Sequence, residues 1–279
     1  MVSLVLEGGS LRGVFTAGVL DALLNHDILV PYCIGVSAGI AYGVSYISRQ
    51  PGRNLEVITK YRHDKRYIGR RNMFKEHSMF GLEFVYDKVP NELVRLDWDS
   101  YMSYPGKVVV VATNALTGEP VYFDGKKMDK KCTMLRATCA LPMAFPAIMI
   151  DDIPYYDGGL SDPIPIRKAI SDGCDKHIIV LTRPKGYVKQ INTSGRLAAK
   201  VYRRRFPAIS KALLTRHIGY NESLAYCEQL EKEGKAVILR PSKAIESFEK
   251  DVRVLKSSFQ MGYDLTEEKL KDIQALIRE

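Results

Sequence analysis

Several features that would mark a secreted, metal-bound or membrane-spanning chain are missing. The five cysteines (Cys33, Cys132, Cys139, Cys174 and Cys227) are scattered, odd in number and never in a CxxC pair. A disulfide scaffold and a cysteine zinc ribbon are thereby excluded as readings, and a reducing cytosol is the simplest compartment. No positively charged stretch precedes the apolar residues at the start, and Glu7 follows them at once, so no secretory signal is read. The least polar stretch, 137–150, is broken by Pro142 and Pro146 and is shorter than the roughly 20 residues of a spanning helix. The expectation is a cytoplasmic protein, at most peripheral to a membrane. Neither internal repeats nor low-complexity segments occur. No zinc finger or RNA-binding signature is found, so only charge supports nucleic-acid binding. Asp151-Asp152 is merely a pair, better read as a hairpin tip than as a Ca²⁺ site. No metal and no other cofactor is expected.

What the sequence does have is a globular composition: 279 residues, 46% hydrophobic and 26% charged. This suits one large α/β domain, or one with an appendage. The net charge of +9 is uneven. Residues 1–183 balance at +2, with 22 basic against 20 acidic residues, and 184–279 at +7, with 19 against 12. Basic runs at Lys60, Arg62, Lys65, Arg66, Arg70 and Arg71, and at Arg203–Arg205, offer contact with an anionic membrane surface, or simply solvated helix faces.

Apolar runs at Val2–Leu6 and Tyr32–Val36 read as strands, each followed by a helix, Gly13–Leu24 and Ala38–Ser48. Strand, glycine turn, helix and strand again is the grammar of a parallel sheet. Residues 53–104 read as a helical or irregular insertion, whose Met73, Phe74, Met79, Phe80, Leu82, Phe84 and Val85 either line an acyl pocket, form a lid or pack as ordinary core. Strands follow at Lys107–Thr113, Pro120–Phe123, Ile148–Ile150, Pro154–Tyr156 and His177–Thr182. Helices are expected at 130–139 and at 164–171, the latter opened by Asp162-Pro163. Beyond Pro184 the pattern turns mostly helical, with one strand near 236–240 and a last helix opened by Thr266-Glu267-Glu268. The division drawn is a core at 1–183 and a helical C-terminal region at 184–279.

Three glycine-bearing segments carry chemistry. Gly35-Val36-Ser37-Ala38-Gly39 is a G-x-S-x-G sequence between a strand and a helix, the setting of a nucleophile elbow. The following helix turns its amide dipoles toward Ser37. Gly8-Gly9-Ser10-Leu11-Arg12-Gly13 also joins a strand to a helix. It lacks the Lys-Ser/Thr of a phosphate loop and the spacing of a dinucleotide loop, while an oxyanion hole needs only well-placed amides. Asp157-Gly158-Gly159 is, alone, more often a turn than a site. Each histidine (His26, His63, His77, His177 and His217) lies outside any glycine-rich context, and only one strand precedes the elbow unit. A Ser37–Asp157 dyad is therefore preferred to a Ser-Asp-His triad.

Together these segments resemble those of the patatin-like phospholipases in order and spacing over residues 2–183, and Thr182–Tyr187 with the helical remainder resembles the bacterial members. The resemblance implies a doubly wound α/β core, Ser37 as nucleophile and Asp157 as base. It also implies an oxyanion hole of Gly8, Gly9 and Ser10 with Arg12 beside it. Family members often begin this loop with Asp and carry a third glycine, where this chain has Glu7 and Ser10. The expected activity is hydrolysis of phospholipid or other acyl esters through an acyl-enzyme. Transfer of the acyl group to another acceptor, and nucleic-acid binding, are the alternatives.

Overall fold

Short runs of β-branched and aliphatic residues form the strands, because a strand covered on both faces reads as continuously apolar. They are β1 (Val2–Leu6), β2 (Tyr32–Val36), β3 (Lys107–Asn114), β4 (Pro120–Asp124), β5 (Ile148–Ile150), β6 (Ile153–Asp157), β7 (Lys176–Val180) and β8 (Ala236–Leu239). In the computed structural model, which describes residues 1–278, they make one mixed sheet in the order β5-β6-β3-β2-β1-β7-β8, with β4 also on β3. Strands β8, β7, β1, β2 and β3 are parallel, and β4, β5 and β6 are antiparallel additions at one end. This is the α/β architecture expected from the strand–helix alternation.

Side chains alternate between two covered faces. Leu4, Leu6, Cys33, Val108 and Val110 pack with Phe15 and Val19 of α1 (Val14–Asn25), with Ile40 and Val44 of α2 (Ala38–Ile47), and within the same core as Ile273 and Leu276 near the C-terminus. Val5, Ile34, Val36, Val109 and Val111 pack on the other face. There they meet a short helix at Ile166–Ser171 and a long helix at Pro207–Lys232. The insertion at 53–104 is built from α3 (Arg53–Tyr61), α4 (Arg70–Glu76), a π-helical segment at Phe84–Leu93 and α5 (Trp98–Ser103). Next come α6 (Thr133–Thr138), α7 (Ile166–Ser171), α8 (Thr193–Tyr202), α9 (Pro207–Lys232), α10 (Val252–Glu268) and α11 (Leu270–Arg278).

The hairpin expected around Asp151-Asp152 is present, with both residues at positive φ, as a tight two-residue turn between antiparallel strands demands. Three boundaries differ from expectation. Helix α7 starts at Ile166 rather than Ile164, because Pro165 disfavours helical backbone at the residue before it. Asp162 accordingly caps nothing; its carboxylate accepts from the Tyr122 hydroxyl at 2.8 Å. Helix α6 is shorter than the expected 130–139, since Cys132 stands in the left-handed region at φ 52°. Thr266-Glu267-Glu268 closes α10 instead of opening the last helix, and the Thr266 hydroxyl donates back to the Gly262 carbonyl at 2.8 Å.

No helix among the described residues is long and apolar enough to cross a membrane. Strand β8 lies at the sheet edge beside β7, and α10 packs along α1. In that contact Leu255 (0% exposed) and Phe259 meet Leu11, Val14 and Ala17. A residue of the glycine loop is thus propped from the C-terminal region. Truncating Leu255 to Ala is expected to cost about 2–5 kcal/mol in chemical denaturation, the usual range for a fully buried leucine.

Candidate active site

Ser37 and Asp157 are 120 positions apart and are brought together by the pairing of β3. Residues Val109–Val111 pair with both β2 and β4, so those two strands occupy opposite sides of β3. Ala112 and Thr113 pair with both β4 and β6, so β6 lies on the β2 side. The two strands therefore share one flank of β3, end to end. Val36 stands opposite Val111, and Asp157 opposite Ala112. Because β6 is antiparallel to β3, the carboxyl ends of β2 and β6 face each other across this junction.

Ser37 occupies the turn into α2 with φ 51° and ψ −131°. This region is normally reserved for glycine, and a residue with a Cβ held there stores about 1–3 kcal/mol of strain. Its N–H donates to Thr138 Oγ1 at 2.7 Å, and the Thr138 hydroxyl in turn donates to the Val111 carbonyl. The elbow is thus fixed to the centre of the sheet, and Ser37 is only 7% exposed. Gly35 is the penultimate residue of β2. At Gly39 a Cβ would stand 2.6 Å from the Glu7 carbonyl, so only glycine lets α2 rest on the end of β1.

The first glycine loop lies directly beside the elbow, since β1 and β2 are parallel neighbours. A Cβ on Gly8 would meet the Ser37 Cβ at 2.9 Å. Among the described residues the N–H groups of Gly8, Gly9 and Ser10 donate to no protein acceptor, whereas Leu11 donates to Ser247 O and Arg12 to Gly9 O. Ser10, which replaces the third glycine, has φ 51° and so sits in the left-handed region despite its side chain. Glu7 is buried and clamps the loop from below. One carboxylate oxygen accepts from the Thr182 N–H at 2.6 Å and the other from the Tyr220 hydroxyl at 3.1 Å. Arg12 is braced outward by Thr182 Oγ1 and Ser247 Oγ.

Asp157 is 3% exposed. Its Oδ1 accepts from the Gly159 N–H at 2.8 Å as Gly158 and Gly159 open a short 3₁₀ turn, while Oδ2 is shielded and has no partner. Burial pushes the carboxyl pKa up. The Ser37 hydroxyl opposes this most, followed by the Gly159 N–H and the charges of Arg216 and Lys189. The Ser37 hydroxyl lies close enough to the Asp157 carboxylate to act on it, yet its geometry falls short of a full hydrogen bond to Oδ2. The nearby Cys139 thiol is pushed up to about 12 by burial and is therefore neutral.

Two cavities meet at Ser37. One, of about 140 Å³, is largely apolar and is walled by Tyr42, Phe80, Tyr86, Leu135 and Phe145 among others. The insertion therefore contributes Phe80 and Val85 to a cavity wall, whereas Leu82 and Phe84 are core and Phe74 is 87% exposed. The other cavity, of about 360 Å³, is polar. It is lined by Ser37, Asp157, Gly8, Gly9, Ser10 and Arg12 together with Arg183, Lys189, Arg216 and His217. Arg183 falls in the Thr182–Tyr187 stretch that the sequence marks, and His217 is a histidine that a triad could draw on, but the sequence places neither in this site; Lys189 and Arg216 carry no local motif, and only the basic excess after residue 183 hints at them. His217 Nδ1 is shielded and unpartnered in this cavity. The remaining histidines take other positions: His177 is bonded to Ser3 within the sheet, and His26 pairs with Glu267 at the surface.

Residues 4–170 match the family model described as patatin-like phospholipase. The chain belongs to that family. Residues 206–278 match a domain of unknown function, DUF6363. Over 188 residues the chain is 28% identical to "Uncharacterized protein YjjU" of Escherichia coli (strain K12), spanning 66% of this chain and 52% of that protein. Over 186 residues it is 26% identical to "Probable lipid hydrolase 463L" of Invertebrate iridescent virus 6, covering 60% and 63%. The chain thus spans from about half to under two thirds of the length of these curated relatives. VipD from Legionella pneumophila superposes with a TM-score of 0.45 at 14% identity, over 97% of this chain and 66% of that one.

The strain at Ser37 and the buried charge of Asp157 both oppose folding. Ser37→Gly should be more stable than Ser37→Ala by about 1 kcal/mol, the relief of strain outweighing the extra chain entropy of glycine. For Asp157 the folded pKa lies above the unfolded one, so the unfolded chain releases this proton first as pH rises. The penalty is absent below the unfolded pKa near 3.8, and it is complete once pH passes the raised folded value. Asp157→Asn should therefore melt above the wild type at pH 7, with the gap closing toward pH 3.5 in thermal scans.

Proposed function

We propose that the protein is a lipid acyl hydrolase that cleaves carboxyl esters through an acyl-enzyme on Ser37, with Asp157 as its base. The observation that carries this reading is the position of Ser37. It stands on a strained elbow where an apolar and a polar cavity meet, next to a shielded carboxylate oxygen that has no partner. An ester of a long acyl chain needs such a junction: its tail is apolar, its alcohol side is polar, and its carbonyl lies between them. Family membership and the lipid hydrolase named among the relatives point the same way.

In the proposed mechanism, Ser37 Oγ attacks the ester carbonyl as its proton passes to Asp157 Oδ2. The oxyanion accepts from the N–H groups of Gly9 and Ser10, with Gly8 adjacent and Arg12 adding positive charge. A single donor of this kind contributes about 2.7–4 kcal/mol to transition-state stability. The C–O bond then breaks, and the proton on Asp157 passes to the departing alkoxide. Water next gives a proton to Asp157, attacks the acyl-enzyme and frees the fatty acid, and the proton returns to Ser37. Burial makes Asp157 a stronger base than an exposed aspartate, and the charges of Arg216 and Lys189 oppose part of that rise.

The test is hydrolysis of a medium-chain acyl ester by purified protein, with products resolved in the presence and absence of an added alcohol acceptor. Ser37→Ala and Asp157→Asn should each lower kcat by about 10³-fold or more, as removal of a member of a catalytic unit does. A fluorophosphonate probe should label Ser37 in the wild type. Undiminished turnover by Ser37→Ala, or labelling of a different serine, would overturn the assignment.

A further inference from the structure

The polar cavity holds more positive charge than ester hydrolysis uses. Arg183, Lys189 and Arg216 all line it, and all come from chain beyond the matched residues 4–170. None of the three forms an ion pair among the described residues. Arg183 lies over the Tyr187 ring and Lys189 over the Tyr220 ring, both at 4.6 Å from the centroid. Arg216 Nε is shielded from solvent with no hydrogen-bond partner. The two carboxylates in the cavity, Glu7 and Asp157, offset only part of this charge, which Arg12 adds to, and neither forms an ion pair with the three among the described residues. Both oxygens of Glu7 are taken by Thr182 and Tyr220, and Asp157 is held by Gly159 beside Ser37.

Cations gathered out of water repel one another and lose hydration, a cost that a bound anion offsets. Lys189 shows that cost: burial, then the neighbouring Arg216, pulls its ammonium pKa down to about 7. We propose that Arg183, Lys189 and Arg216 form an anion subsite for a phosphoryl group on the alcohol side of the scissile ester. This deepens the hydrolase reading above and rests on it. With the acyl chain in the apolar cavity and the carbonyl at Ser37, the alcohol portion must extend into the polar one. Three cations suit a tetrahedral dianion better than a single carboxylate charge, and guanidinium forks match phosphate oxygens. The same charge disfavours a head group that also carries an ammonium. Acyl esters of a glycerol phosphomonoester are therefore preferred to neutral esters of the same chain.

The experiment compares kcat/KM for lysophosphatidate and for the monoacylglycerol of the same acyl chain, both dispersed in the same neutral detergent. The ratio of the two values is the readout, because any effect of these residues on Asp157 acts on both substrates and cancels. Lys189→Met and Arg216→Gln should each lower the ratio by tenfold or more, and Lys189→Arg should retain it. A ratio that stays at the wild-type value in both variants overturns the subsite, as does a proportionate loss on both substrates. Calorimetry on the Ser37→Ala protein tests binding without turnover, using glycerol 3-phosphate and inorganic phosphate as probes. Tighter binding of the glycerol ester, weakened by Arg216→Gln, supports a lipid head group. Equal or tighter binding of the free ion, or no binding of either, overturns it. Wild-type protein that cleaves neither ester but binds glycerol 3-phosphate through Arg216 would overturn the hydrolase reading and leave the anion site standing.

Discussion

One flank of β3 is long enough for two strands, and the candidate site depends on that. Strand β2 fills its first part in parallel and β6 fills its last part in antiparallel, so two carboxyl ends meet at a single break in the sheet. Backbone hydrogen bonds on both sides hold that break to about one residue. Ser37 leaves one strand there and Asp157 ends the other. A one-residue slip of β6 would turn the carboxylate to the opposite face, because side chains alternate along a strand. Thr138, which links the Ser37 N–H to the Val111 carbonyl, ties the elbow to this same point on β3.

Around that break the protein tolerates features that cost stability. Ser10 and Ser37 both hold positive φ with a side chain, and Asp157 keeps a carboxylate away from water with one oxygen unpaired. These costs are met by a deeply buried five-strand parallel sheet covered on both faces. The C-terminal region takes part in this support. It contributes Tyr220 beneath Glu7, Ser247 against Leu11 and Arg12, and Leu255 against the same loop. It also contributes Lys189 and Arg216, two of the four cations that line the polar cavity, and Arg216 ties the matched N-terminal portion to the segment of unknown function in one chemical environment.

Much of this was legible in the chain itself. Strands β1 and β2 fall at the expected residues because each is a short apolar run bounded by turn-forming residues. The Asp151-Asp152 hairpin, the G-x-S-x-G turn and the first glycine loop could be read from local chemistry. Helix boundaries were less legible at α6 and α7, where a left-handed Cys132 and Pro165, one residue inside the expected start, decided the first turn. Thr266-Glu267-Glu268 has the composition of a helix start and lies at a helix end. Burial of Thr266 against the rest of the molecule outweighs that local preference.

The polar cavity was not legible. Arg183 follows β7, which pairs with β1, Lys189 lies in a loop and Arg216 and His217 sit on α9, so the pairing of distant strands and the packing of that long helix bring them beside Ser37. The sequence by itself determined the α/β class, the family and the local shape of each glycine turn, because these depend on residues within a few positions of one another. Tertiary structure alone decided that Ser37 separates an apolar chamber from a cationic one. Burial and charge at that point are set by side chains that approach from distant parts of the chain, and no local preference specifies their meeting.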